Sequence, residues 1–233
     1  MPDSKPVRGP VILAFDVGGS GIKALRLDAA GRPLGDRNRL STPHPARPAA
    51  VLSVMRSLAA SSRPFDKVSV GFPGVVRGGV VWTAVNLHDD WVGFDLAKAL
   101  RKALGRPVRV ANDADVQGMG AVKGRGVELV VTLGTGFGSA LFVDGVLVPN
   151  LELGHHPFRR GETYEEQLGD PVKSAEDAQS DALSRRLWDW YRSTARTRLE
   201  PGGAVVVVMT RWHEADLAGR LLAEDDGEKW EVL

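Results

Sequence analysis

The sequence predicts an α/β fold. Short apolar runs alternate with segments of helical spacing along most of the chain. Two of those runs end in glycine turns, Gly18–Gly21 and Gly134–Gly136, more than 110 residues apart. The composition is that of a chain able to bury a core: 233 residues, 43% hydrophobic and 25% charged.

The elements follow in order. Residues 11–16 form a buried-type strand, and Gly18-Gly19-Ser20-Gly21 turns it into a second strand, 22–28. Residues 28–31 turn again into a third strand. Residues 48–60 have helical spacing, and 67–72 is a strand stopped by Pro73-Gly74. A helix over 94–104 ends at Gly105, the usual C-terminal stop. Residues 107–111 are a strand feeding a helix from 113 to 123. Residues 127–133 are a strand that runs into Gly134-Thr135-Gly136. Asp144-Gly145 joins 139–143 to 146–148 as a hairpin. Then come a long helix (175–197), a Pro201-Gly202-Gly203 turn, a strand (204–209) and a helix (214–223).

Charge divides the chain unevenly. Residues 1–168 carry 21 Lys/Arg against 16 Asp/Glu, and residues 169–233 carry 9 against 13. The last 65 residues hold four of the six tryptophans, which marks a change of character near Gly169. The net charge of +1 argues against generic attraction to nucleic acid or membrane. No apolar run reaches the roughly 18 residues of a membrane span. Residues 1–10 are polar and proline-rich, lack the apolar stretch of a signal peptide, and read as a loose tail. The absence of cysteine excludes disulfides, thiolate nucleophiles and cysteine-ligated zinc, and fits a cytoplasmic location.

Four motifs can carry chemistry. Asp16-Val-Gly18-Gly19-Ser20-Gly21-Ile-Lys23 places backbone N–H groups where phosphate oxygens could rest, with Asp16 able to hold Mg²⁺, directly or through water. The same residues also suit a tight hairpin with no ligand. Gly134-Thr135-Gly136 is a second such turn. Neither is a Walker A loop. In Asn112-Asp113-Ala-Asp115, Asp113 can accept a proton from a substrate hydroxyl, while Asn112 or Asp113 can equally cap the following helix. Glu152-Leu-Gly154-His155-His156 can bind sugar hydroxyls or be a surface loop.

In this order and spacing the motifs resemble the ROK family of sugar kinases, in its polyphosphate glucokinase branch. The stretches FDVGGSGIKALRL (15–27), VGFPGVVRGGVVWTAVNL (70–87), VANDAD (110–115), VTLGTGFGSALFVDGVLVPNLELGHH (131–156) and GETYEEQLG (161–169) carry the resemblance. It implies an actin-like, ribonuclease H-like two-lobe ATPase fold, with a loose tail (1–10), an N-terminal lobe (11–124) and the start of a second lobe (125–169). It implies Asp113 as the base for the 6-hydroxyl of glucose, and Asn112, Glu152, His155 and Glu165 as ligands of the sugar. Gly18, Gly19, Ser20, Gly21, Gly134, Thr135 and Gly136 would hold the phosphates of polyphosphate or ATP. Lys23 and Arg159/Arg160 would attract a polyanionic donor. Mg²⁺ would assist, zinc would not, and a homodimer is in keeping with the family.

Residues 169–233 depart from that family and resemble part of a phage terminase large subunit. Asp170-Pro171-Val172-Lys173, WDWYRST (188–194) and Thr210-Arg211-Trp212-His213 carry this second resemblance. For a terminase, Trp230–Leu233 is an abrupt end, as expected of a truncated fragment. The chain then reads as a kinase core whose second lobe is truncated and continued by a foreign helix–strand–helix. Two outcomes are open for that segment. Residues 205–208 could supply the missing strand of the second lobe, or the segment could pack poorly and leave strand edges unpaired. Function has three readings: a glucokinase-type phosphotransferase, a non-catalytic remnant that binds sugar or phosphate, or a DNA-packaging fragment.

Overall fold

The structure, a computed structural model, describes residues 9–84, 87–133, 136–158, 160–168, 181–195, 203–209 and 217–223. The chain divides into two compact units, Met1–Gly120 and Ala121–Leu233.

The first unit is built on a five-stranded mixed sheet. Its strands are β1 (Ile12–Val17), β2 (Gly21–Leu27), β3 (Asn38–Ser41), β4 (Lys67–Phe72) and β7 (Val108–Asn112), in the order β3-β2-β1-β4-β7. Strands β1, β4 and β7 run parallel, and β2 and β3 are antiparallel additions. Alternation along β1 sends Leu13, Phe15 and Val17 to one face. There they join Val51, Met55 and Leu58 of α1 (Pro48–Ser61) and Leu96 and Leu100 of α2 (Leu96–Leu104) in one core. Helix α2 begins two residues later than the sequence predicts, because the Asp95 side chain accepts the Lys98 N–H and caps it. It ends as expected at Gly105, in the left-handed conformation. A short hairpin, β5 (Val76–Arg77) and β6 (Val80–Val81), follows β4 and was not foreseen. Helix α3 (Asp113–Ala121) follows β7.

The second unit holds β8 (Val127–Leu133), β9 (Phe137–Val143), β10 (Val146–Val148) and β11 (Ala204–Met209), in the order β10-β9-β8-β11. Asp144 and Gly145 both have positive φ, as the two-residue hairpin requires. The carboxylate of Glu128, itself buried, accepts the backbone N–H groups of Lys123, Gly124 and Arg125. This fixes the turn that leads into β8.

The expectation of a poorly packed C-terminal segment is overturned among the described residues. Strand β11 pairs in parallel with β8 along its whole length, from Ala204 opposite Glu128 to Met209 opposite Leu133. Its side chains alternate. Val207 and Met209 pack against the cluster of Val131, Leu133, Phe137, Leu187, Trp188, Trp190 and Leu217, and Val206 and Val208 against that of Val130, Ala140 and Phe142. The physical reason is burial: a run of four valines is a strong β-former, and β8 offers it an edge and two apolar faces. The long helix expected over 175–197 appears as α5 (Asp181–Trp190), which continues as a π-helical turn (Tyr191–Ala195); its remaining residues lie outside the described ones. The last helix appears as α6 (Leu217–Ala223). Trp190 carries the cost of this packing, since its buried Nε1 has no hydrogen-bond partner among the described residues.

If the C-terminal segment is integral to this core, Leu217→Ala, at a fully buried position, should lower unfolding free energy by about 2–5 kcal/mol. Urea titration measures it, and a change of no more than about 0.5 kcal/mol, as at a surface site, would mean that α6 is loosely attached.

Candidate active site

In the first unit the site is built at the C-terminal ends of the parallel strands. Asp16 on β1 lies opposite Gly71 on β4, and Gly71 opposite Ala111 on β7, so these positions share one face of the sheet. Helices α1 and α2 cover the other face. The start of α3 lies over Gly71: a Cβ placed there would be 3.4 Å from Cα and 3.6 Å from Cβ of Asp113, ordinary contact distances.

Asn112 fixes that start. Its Oδ1 accepts the N–H groups of Ala114 and Asp115, at 2.8 and 3.1 Å, and its Nδ2 donates to the Gly74 carbonyl at 3.3 Å. Between the two roles open for Asn and Asp here, Asn112 is the cap. Gly74 is irreplaceable in this arrangement: its φ is +155°, and a Cβ would fall 2.0 Å from the Thr83 carbonyl oxygen.

Asp113 is half-buried and its Oδ1 accepts its neighbour's N–H from Ala114 at 2.9 Å. Burial pushes its carboxyl up to about 6, partly offset by the Ala114 N–H; the nearby charges of Asp16 and Asp115 push the same way as burial. Asp16 itself pairs with Lys23, its neighbour across β1 and β2, at 2.8 Å.

The Gly18–Gly21 turn is a tight hairpin. The Gly18 N–H donates to the Gly21 carbonyl at 3.0 Å, and Thr42 holds the turn from outside through the carbonyls of Gly18 and Ser20. Gly19 and Ser20 are exposed, and their N–H groups find no acceptor among the described residues.

In the second unit, the residues after β10 form an ordered loop. Glu152 sits in the left-handed region, at φ 46°, an uncommon conformation for a non-glycine residue and one that clusters at functional sites. Its Oε2 lies 3.7 Å from His155 Nε2. The Leu153 N–H donates to the buried Ser139 hydroxyl at 3.0 Å. Helix α4 (Tyr164–Leu168) opens with a capping box: Glu166 accepts the Thr163 N–H and its N–H donates back to Thr163 Oγ1. That leaves Glu165 facing two glycines. Cβ atoms added at Gly136 and Gly154 would lie 3.4 and 3.3 Å from its Oε2. Gly136, Glu152, His155 and Glu165 therefore belong to one neighbourhood, whose carboxylates suit hydroxyl donors better than phosphates. Gly134, Thr135 and Arg159 lie outside the described residues, and Arg160 is exposed with φ 58°. Of the segment resembling terminases, residues 170–173 and 210–213 also lie outside them.

A family model, that of the ROK family, matches residues 12–162. The chain belongs to the ROK family. It is 39% identical over 171 residues to a polyphosphate glucokinase of Mycobacterium tuberculosis, a match covering 70% of this chain and 64% of that protein. The chain thus spans a little under two thirds of that relative. Among solved structures it resembles an inorganic polyphosphate/ATP-glucomannokinase from Arthrobacter sp. strain KM, with a TM-score of 0.76 and 33% identity over 92% of this chain and 98% of that one. It also resembles a ROK family glucokinase from Streptomyces griseus solved with glucose and AMPPNP, with a TM-score of 0.59 and 24% identity over 80% and 62% of the two chains. The fold is that of the ROK sugar kinases, as the motifs imply. No helix among the described residues is long and apolar enough to cross a membrane.

The raised pKa has a stability consequence. With a folded value near 6 and an ordinary value of 3.8, the folded chain retains a proton that the unfolded chain has already released. Stability therefore falls as pH rises through that window and stays lower above it. Asp113→Asn should raise unfolding free energy at pH 8 by roughly 3 kcal/mol and add little near pH 4. Denaturant titrations at the two pH values check this; a gain equal at both would exclude the ionised carboxylate as its source.

Proposed function

We propose that the chain is a glucokinase-type phosphotransferase that moves a phosphoryl group from polyphosphate or ATP to the 6-hydroxyl of glucose. The observation that carries this reading is the setting of Asp113: a half-buried carboxyl at the end of the parallel strands, with its pKa near 6, in a chain that matches the ROK family model. A carboxyl poised there is ionised at neutral pH yet basic enough to take a hydroxyl proton. The hydroxyl oxygen attacks the terminal phosphorus of the donor as its proton passes to an Asp113 oxygen. The bond from that phosphorus to the bridging oxygen breaks, and the donor leaves one phosphate shorter.

Binding falls to the other residues. Asn112, Glu152, His155 and Glu165 are read as ligands of the sugar hydroxyls. The exposed N–H groups of Gly19 and Ser20 are read as donors to phosphate oxygens, with Gly18, Gly21, Gly134, Thr135 and Gly136 shaping the turns. Lys23 would add positive charge, though it also neutralises Asp16. The donor set fits Mg²⁺, which binds through one or two carboxylates, donor phosphates and waters; Asp16 would hold it, and no cluster of three or more acidic or histidine side chains exists among the described residues. Bound there, Mg²⁺ would neutralise charge on the transferring phosphoryl group. The same reading takes 11–124 and 125–169 as the kinase's first lobe and the start of its second, in the cytoplasm, and allows a homodimer.

One observation favours a second reading, a sugar- or phosphate-binding remnant. The family match ends at residue 162, so β11 and the helices on either side of it lie beyond the matched stretch. A separate, terminase-like origin for 170–233 accords with that boundary.

The test is glucose 6-phosphate formation by the purified chain with Mg²⁺ and either polyphosphate or ATP. Asp113→Ala should reduce kcat at least ~100-fold, the usual contribution of a general base. In the unaltered chain kcat/KM should rise with pH and level off above about 6, following Asp113. Sugar binding without turnover by either donor would select the remnant.

A further inference from the structure

The open face of the first sheet carries a charge that the proposed reaction has not used. Lys23 on β2 lies opposite Arg39 on β3, as it lies opposite Asp16 on β1. Gly71, Asp16, Lys23 and Arg39 therefore form one row across four adjacent strands, with all their side-chain positions on the same face. Lys23 is paired with Asp16. Arg39 has no ion pair or hydrogen bond among the described residues, is exposed, and lies on the edge strand of the sheet.

Arg39 nonetheless lies against the hairpin turn. Its guanidinium lies over Gly21, the last residue of the hairpin turn. A Cβ at Gly21 would fall 2.5 Å from its Nε, 2.8 Å from Nη2 and 3.0 Å from Cζ. The bare backbone of Gly21 thus leaves room for a planar cation at the end of the turn that contains Gly19 and Ser20, whose N–H groups have no acceptor among the described residues. An unpaired guanidinium next to unsatisfied N–H groups is a site for an oxyanion, and its fork suits phosphate oxygens. Three strand spacings, about 14 Å, separate the backbone of Gly71, beneath Asp113, from that of Arg39. The cation is set away from the reacting end, toward phosphates further along a chain.

We propose that Arg39 is a donor-binding residue that holds non-reacting phosphates of a linear polyphosphoryl chain at the Gly18–Gly21 turn. This rests on the phosphotransferase reading and names the part of its donor that Arg39 contacts.

Equilibrium binding of long-chain inorganic polyphosphate, and separately of ATP, to the full chain tests the proposal without turnover. Glucose 6-phosphate formation is measured alongside. Arg39→Ala should weaken polyphosphate roughly tenfold, the order expected for a lost charge-assisted hydrogen bond, and the loss should shrink with added salt. Arg39→Lys should fall between, keeping the charge and losing the fork. Gly21→Ala should act in the same direction by unseating the guanidinium. Arg56→Ala, an exposed arginine on α1, removes the same charge elsewhere and should change nothing. A matching loss with ATP assigns the contact to phosphates that both donors share, and a loss with polyphosphate alone assigns it to phosphates beyond them. Unchanged polyphosphate affinity in Arg39→Ala, a loss equal to that of Arg56→Ala, or no polyphosphate binding by the unaltered chain would overturn the proposal. Arg39-dependent binding without glucose phosphorylation would leave it standing and reject the phosphotransferase reading. Phosphorylation with an unchanged polyphosphate KM in Arg39→Ala would do the reverse.

Discussion

The first unit depends on how the N-terminus of α3 is satisfied. A helix leaves its first N–H groups without partners inside itself, and those of α3 start at a crowded strand end. Asn112 accepts two of them and anchors itself to the Gly74 carbonyl, which ties the loop after β4 to the end of β7. With the cap supplied by Asn112, the next carboxyl, Asp113, is presented where β1, β4 and β7 end. Gly74 is the position that makes room for the turn that receives the cap.

The same geometry explains why Asp113 carries an unusual acidity. A carboxyl settled over a glycine, between Asp16 and Asp115, loses water on one side and meets like charge on the other. Such a group costs stability where it is ionised, and its placement makes physical sense when a hydroxyl proton is to be taken there. Lys23 limits the like-charge effect by pairing with Asp16. It leaves Arg39 as the positive charge of the row without a counter-charge among the described residues.

In the second unit the governing constraint is the edge of β8. Without a neighbour on that side, β8 would leave a ladder of backbone groups unpaired. Strand β11 pairs with the whole of β8 and shares both of its cores. A segment outside the family match at residues 12–162 can do this because sheet pairing is made by the backbone, and burial asks only for apolar side chains of suitable size. Among the described residues, the buried Nε1 of Trp190 finds no hydrogen-bond partner in this packing.

Much of this was legible in the sequence. Lys67–Phe72, Val127–Leu133 and Ala204–Met209 are apolar runs with clear stops, and the strands have those bounds. The capping box that sets Glu166 apart from Glu165 is also a readable pattern, Thr163 followed by Glu166. The hairpin of β5 and β6 went unforeseen because two residues per strand give no periodicity to detect. Arg39 gave no signal, because β3, the third strand, is exposed at all four positions and none of the chemistry-bearing motifs includes it. By itself the sequence determined the order of elements, the glycine turns and the carboxyl at the β7–α3 junction, since these follow from local pattern and backbone freedom. Tertiary structure alone decided that Asn112 rather than Asp113 is the cap, that β11 joins β8, and that Arg39 rests on Gly21. Each of these depends on strand register, which brings together residues that the chain holds far apart or, at the cap, on which of two adjacent side chains the turn after β4 can reach.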